Sequence, residues 1–145
     1  MAARFDPIAA LKASPPSARL KKGSVFDHPR IREYHAATRG IGRFGDQTAW
    51  CSSFANYCFQ QSGIAGTRSK AARSWCKWGV PIADPVPGCV VVFWRVAKFS
   101  PFGHVAFYVS ETDDGRVLAL GGNQGNRVSI AAYPRKRVLG FRMPP

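Results

Sequence analysis

The hydrophobic period of this chain changes once, at a proline-rich stretch carrying Pro81, Pro85 and Pro87. Before it, apolar residues recur at the three- to four-residue spacing of helices; after it, they alternate as in strands. The strand-like segments run from Cys89 to Arg95, His104 to Ser110, Arg116 to Leu120, Arg127 to Ala132 and Arg137 to Arg142. Asp113-Asp114-Gly115 between the second and third is a hairpin turn signal. Helices first and a strand meander after them predict an α+β domain, its helices packed on one face of a roughly five-stranded antiparallel sheet. The prolines lack amide protons, which makes their own stretch a loop.

The helical part has its own punctuation. Asp6-Pro7 before Ile8-Ala9-Ala10-Leu11 reads as a capped short helix, ended by Ser14-Pro15-Pro16-Ser17, and Ala18 to Ser24 reads as a basic loop. A second helix begins near Asp27, with Pro29 in its first turn and Ile31, Tyr34 and His35 on one face; Gly40 and Gly42 then open a loop. Thr48 is the expected N-cap of a third helix, which starts at Cys51 and ends at Gly63. A short helix from Lys70 to Lys77 stops at Gly79. Trp75 and Trp78 lie on or beside it and are expected in the core, with a substrate groove as the other reading.

At 145 residues the chain suits one compact domain, expected as a monomer, with a 46% hydrophobic composition to build its core. No apolar run approaches the roughly 20 residues needed to span a bilayer. The start, Met1-Ala2-Ala3-Arg4-Phe5-Asp6-Pro7, meets Asp6 and Pro7 where a secretory signal would continue apolar, so no such signal is expected. A net charge of +13 predicts adhesion to polyanions. Anionic cell-wall polymers fit that charge as well as nucleic acid does, and no nucleic-acid motif singles out the latter. The acidic residues are few and dispersed, so neither a metal nor another cofactor is expected.

Four cysteines stand at positions 51, 58, 76 and 89. All are expected reduced, with a Cys76 to Cys89 bridge as the alternative, and Cys58, two helical turns beyond Cys51, as a core thiol. Cys51 differs by its place at a helix start, where the macrodipole favours thiolate over thiol. Ala55 and Cys58 beside it leave space for a substrate.

An imidazole could complete the chemistry. His104, Ala106 and Tyr108 share one face of their strand and Val105, Phe107 and Val109 the other; if the first face meets the Cys51 helix, the imidazole can reach the sulfur. Gly103 permits close approach of another chain. A histidine that activates a thiol needs its second ring nitrogen held by an amide or carboxylate. Asn123 is the first candidate and Gln124 the second, unless Gly121 to Asn126 is only a turn. His28 and His35 are expected as surface or capping residues.

Taken in order, Ala49-Trp50-Cys51-Ser52-Ser53-Phe54, Ala72-Arg73-Ser74-Trp75, Gly103-His104-Val105-Ala106-Phe107-Tyr108-Val109, Leu120-Gly121-Gly122-Asn123-Gln124 and Val138-Leu139-Gly140-Phe141-Arg142 resemble the small NlpC-type and CHAP-like cell-wall hydrolases. The resemblance runs from about residue 28 to the end, leaving residues 1–27 as a basic extension or first helix and 28–145 as the domain. It implies a papain-like fold and cleavage of an amide bond in peptidoglycan stem peptides or cross-bridges. By the same resemblance Cys51 is the nucleophile, His104 the general base and Asn123 the orienting residue, with Gln47 a candidate second oxyanion donor. Relatives often carry His or Glu as the third member, so the amide is a departure. Peptidoglycan is then the partner, reached in the periplasm or outside the cell as a phage lysin or as an injected effector, which would imply a cognate immunity protein. A papain-fold acyltransferase or deamidase is the second reading, and a non-catalytic basic wall- or nucleic-acid-binding module the third.

Overall fold

The computed structural model describes residues 29–39, 50–125 and 127–145. The helix expected at Ile8 to Leu11, the loop at 18–24, His28, Gly40 and Gly42, Gln47, Thr48 and Asn126 lie outside them; the cap position of the helix that starts at Cys51 is Trp50 and not Thr48. Among the described residues, two α-helices, α1 (Pro29–Ala36) and α2 (Cys51–Gln61), and a short 3-10 helix (Ala72–Lys77) precede the sheet. Six strands follow: β1 (Val80–Ile82), β2 (Val90–Trp94), β3 (Gly103–Glu111), β4 (Val117–Gly121), β5 (Ser129–Tyr133) and β6 (Val138–Met143). The sheet order is β1-β6-β2-β3-β4-β5, with every neighbouring pair antiparallel. The α+β class expected from the change of period is the observed one.

The sheet departs from a five-stranded meander at two places. Val80-Pro81-Ile82, expected as loop, is an edge strand on β6, where a proline is tolerated because its missing N–H faces away from the single partner. β6 does not extend the meander beyond β5; it returns to pair with β2. That return buries Phe141 edge-on against Tyr108, with ring centroids 5.8 Å apart.

Each face of the sheet has its own apolar cluster. Val90, Val92, Val105, Phe107 and Leu120 pack with α2, α1 and the 3-10 helix, while Cys89, Val91, Phe93, Ala106, Tyr108, Val117, Ala119 and Phe141 form the other face. Phe59 joins the first cluster together, meeting Trp75 at 5.5 Å, Trp78 at 4.7 Å and Phe107 at 5.5 Å. Both tryptophans are therefore core residues, their indole N–H groups donating to Ser52 Oγ and the Ala65 carbonyl.

The helix that carries Cys51 is buried on nearly every side, from Cys51 through Ala55, Asn56, Cys58 and Phe59. Its polar side chains are satisfied inside. Ser52 Oγ donates to the Ser69 carbonyl, Asn56 donates to Ser52 and Ser69 carbonyls and accepts from Arg68 N–H, and Ser53 Oγ lies 2.6 Å from His35 Nδ1. His35, expected at the surface or as a cap, is thus a buried residue of the α1–α2 contact. The helix ends where Gly63 takes φ +71 and its N–H donates to the Gln60 carbonyl.

Candidate active site

Cys51 is the first residue of α2, and its sulfur sits where α2 meets the start of β3. The backbone N–H groups of Val105, Ser52 and Cys51 are directed at the sulfur and favour its thiolate, as does the positive charge of Arg95. Burial outweighs them. Cys51 is 4% exposed, and desolvation pushes its thiol above the usual range, so the expected helix-end depression of its pKa does not prevail. Cys58, Cys76 and Cys89 are also free thiols, so the Cys76 to Cys89 bridge is not formed.

The body of α2 packs on the Val105 and Phe107 face of β3, so the condition set for the His104 face is not met by the helix body. Phe54 and Phe59 are large and apolar and pack against Phe107, with ring centroids 6.4 and 5.5 Å away, and Cys51 in the first turn joins the same cluster. That is why the sulfur meets the Val105 N–H while the imidazole leaves the same strand on the opposite face, stacked beside Phe93 at 6.2 Å and Tyr133 at 5.3 Å.

The imidazole is held by Gln124. His104 Nε2 is 2.9 Å from Gln124 Oε1, and both side chains are buried. The amide cannot be reversed: Gln124 Nε2 donates to the Ser129 carbonyl at 2.6 Å and the Ala119 carbonyl at 3.3 Å, which need a donor. Oε1 must then accept, so Nε2 of the neutral imidazole carries the proton and Nδ1 is the basic nitrogen. Tyr133 completes the group, its hydroxyl donating to Gln124 Oε1 at 2.8 Å and lying 3.1 Å from His104 Nε2. Its ring stacks on Phe93 at 4.5 Å, and the Arg137 guanidinium lies over the ring 5.8 Å from its centroid.

Asn123 makes no hydrogen bond to His104; among the described residues the ring's side-chain partners are Gln124 and Tyr133. Asn123 has φ +58, and this left-handed turn sends the next side chain, Gln124, toward the sheet. Gly122 brings the turn down onto α2. A Cβ there would fall 2.6 Å from Phe54 Cβ and 2.7 Å from Trp50, so only glycine lets the backbone approach this closely. The close approach inferred for Gly103 also occurs, a Cβ there coming within 3.0 Å of the Phe93 carbonyl.

Burial governs the electrostatics of these groups. Desolvation pushes His104 down from 6.5 to about 4, partly offset by the Gln124 hydrogen bond and reinforced by Arg95 and Arg137. Desolvation also pushes Tyr133 up to about 12, and a negative charge on Cys51 would raise it further. Cysteine and histidine therefore rest as neutral thiol and neutral imidazole. The arrangement holds a thiol at a helix start among backbone N–H donors and an imidazole whose tautomer is fixed by Gln124.

No curated protein matches the chain. The CHAP domain family matches residues 43–123, more than half of the chain, a segment that spans Cys51 and His104 and stops one residue short of Gln124. The chain belongs to the CHAP domain family, a papain-like fold whose general activity is peptidoglycan hydrolysis.

Proposed function

We propose that this protein is a peptidoglycan amidohydrolase in which Cys51 attacks the carbonyl of a stem-peptide or cross-bridge amide and His104 is the general base. The observation that carries this reading is the hydrogen bond from His104 Nε2 to Gln124 Oε1, which leaves Nδ1 as the proton acceptor. Because both partners rest neutral, the thiol proton passes to Nδ1 as sulfur bonds to the carbonyl carbon, and no thiolate is stored beforehand. The carbonyl oxygen takes the negative charge, facing N–H donors at the start of α2. Protonation of the amine by Nδ1–H then releases it and leaves a thioester. Water, deprotonated by His104, attacks the thioester and regenerates the thiol. Gln124 orients the imidazole in the place first given to Asn123, and Tyr133 supports Gln124. Gln47 is kept as a candidate oxyanion donor.

The basic surface suits an anionic wall, and delivery as a phage lysin or as an injected effector suits a wall-cutting enzyme. Mass spectrometry of purified peptidoglycan treated with the parent and with Cys51→Ala tests the activity. New peptide termini with the parent alone are expected, and the termini name the bond. Absence of fragments from several wall chemotypes under reducing conditions would overturn the proposal in favour of a binding module or another acyl substrate.

A further inference from the structure

We propose that the loop between β2 and β3, Arg95 to Phe102, is a docking finger for an anionic lipid bilayer. Three apolar side chains on this one loop face solvent: Val96 at 84% exposure, Phe99 at 93% and Phe102 at 61%. Isolated apolar residues on a surface need no explanation, but three on an eight-residue loop make a patch.

Two further features set the loop apart from a slack connection. Val96 holds φ +68, a region costly for a β-branched residue, where glycine or asparagine would be easier. The loop is also clamped from below. The Arg73 guanidinium donates to the Phe102, Lys98 and Ala97 carbonyls, and Ser100 Oγ donates to the Arg95 carbonyl at 2.5 Å. The loop's polar backbone is thereby turned inward and its apolar side chains outward.

Charge chooses the occupant. Arg95 and Lys98 are exposed on the same loop, Lys98 Nζ lies 5.8 Å from the Phe99 ring, and the sequence has no acidic residue from Pro85 to Ser110. Phenylalanine and valine offer no hydrogen bond to a sugar or peptide, and the Arg73 and Ser100 donors are already engaged. What remains is an apolar tip that carries the cations Arg95 and Lys98, the composition that enters the boundary between anionic headgroups and acyl chains. The loop runs directly into Gly103 and His104, so docking would set the candidate active site beside the bilayer surface.

The test is flotation of the full chain with phosphatidylcholine vesicles with and without phosphatidylglycerol, comparing the parent with Phe99→Ser/Phe102→Ser. The double variant keeps the net charge, so general electrostatic adhesion is unchanged. Both positions are exposed, so its melting temperature should match the parent's. The parent should float with the anionic vesicles and the variant bind at least about tenfold more weakly. In addition, Phe99→Trp should be quenched by brominated acyl chains. Equal binding by parent and variant, no binding by the parent, or a variant that loses adhesion to purified sacculi while keeping that to vesicles would each overturn the inference.

Discussion

Acidification from pH 7 to pH 4 should selectively weaken the parent relative to a His104→Gln variant. The folded imidazole is held near a pKa of about 4 by burial, against 6.5 in the unfolded chain. Between these values the unfolded state binds more protons than the folded one, so stability falls as pH falls through this window and the loss saturates below about pH 4. With these two pKa values, linkage gives roughly 3 kcal/mol lost through His104 between pH 7 and pH 4. Glutamine does not titrate, so the variant lacks this term, whatever constant cost its altered packing adds. Urea denaturation of both proteins at a series of pH values measures the difference, and the other titrating groups cancel in the comparison. The gap in stability between parent and variant should shift by about 3 kcal/mol over the interval, in the direction that disfavours the parent in acid. A shift below about 1 kcal/mol would refute the claim that His104 is kept neutral by burial.

The same electrostatics predict the reactivity of Cys51. Alkylation by iodoacetamide, followed peptide by peptide, should keep rising beyond pH 9, because burial holds the thiol above its usual range. A plateau at neutral pH that vanished in His104→Gln would instead reveal a preformed ion pair. A third expectation separates the two residues around the imidazole. Gln124→Leu removes the acceptor of His104 Nε2–H and Tyr133 O–H and the donor to the Ala119 and Ser129 carbonyls, and should lower turnover of peptidoglycan by about 10- to 100-fold. Tyr133→Phe leaves the His104–Gln124 bond in place and should cost only about threefold. Equal turnover by Gln124→Leu and the parent would remove Gln124 from the site.

What could be read from the chain before folding was what depends on local period. The segments from Cys89 to Arg95 and from Arg137 to Arg142 became β2 and β6 with ends moved by a residue or so, because alternation fixes a strand wherever one face is buried. The helix at Cys51 and its stop at Gly63 were legible from helical spacing and from a glycine that ends the run. Strand partnership was not local. Nothing in Val138 to Met143 says that it passes β5 and pairs with β2, and without that order the position of Tyr133 beside His104 has no sequence signal. The face of β3 met by α2 was left open because alternation divides a strand into two faces without saying which apolar set, Val105 and Phe107 or Ala106 and Tyr108, the helix covers. Asn123 and Gln124 differ by one residue in an irregular turn, where a positive φ resets side-chain direction and counting by period fails.

The choice of an amide at position 124 follows from the whole shell around it. The imidazole and the Tyr133 hydroxyl both present donors to Oε1, while the Ser129 and Ala119 carbonyls both require a donor from the other end of the same group. A carboxylate satisfies the first pair and fails the second, setting a negative oxygen against two carbonyl oxygens in a buried place. A histidine could not accept twice at one atom and donate twice at another. Glutamine alone among these candidates has an acceptor with two lone pairs and a donor with two hydrogens at its ends. Its neutrality matters too, because a buried carboxylate beside His104 would favour the imidazolium and work against the depressed pKa. Gln124 thus fixes the imidazole tautomer without supplying charge, which suits the proposed role of His104 as a base that receives its proton during attack on the carbonyl instead of holding it beforehand.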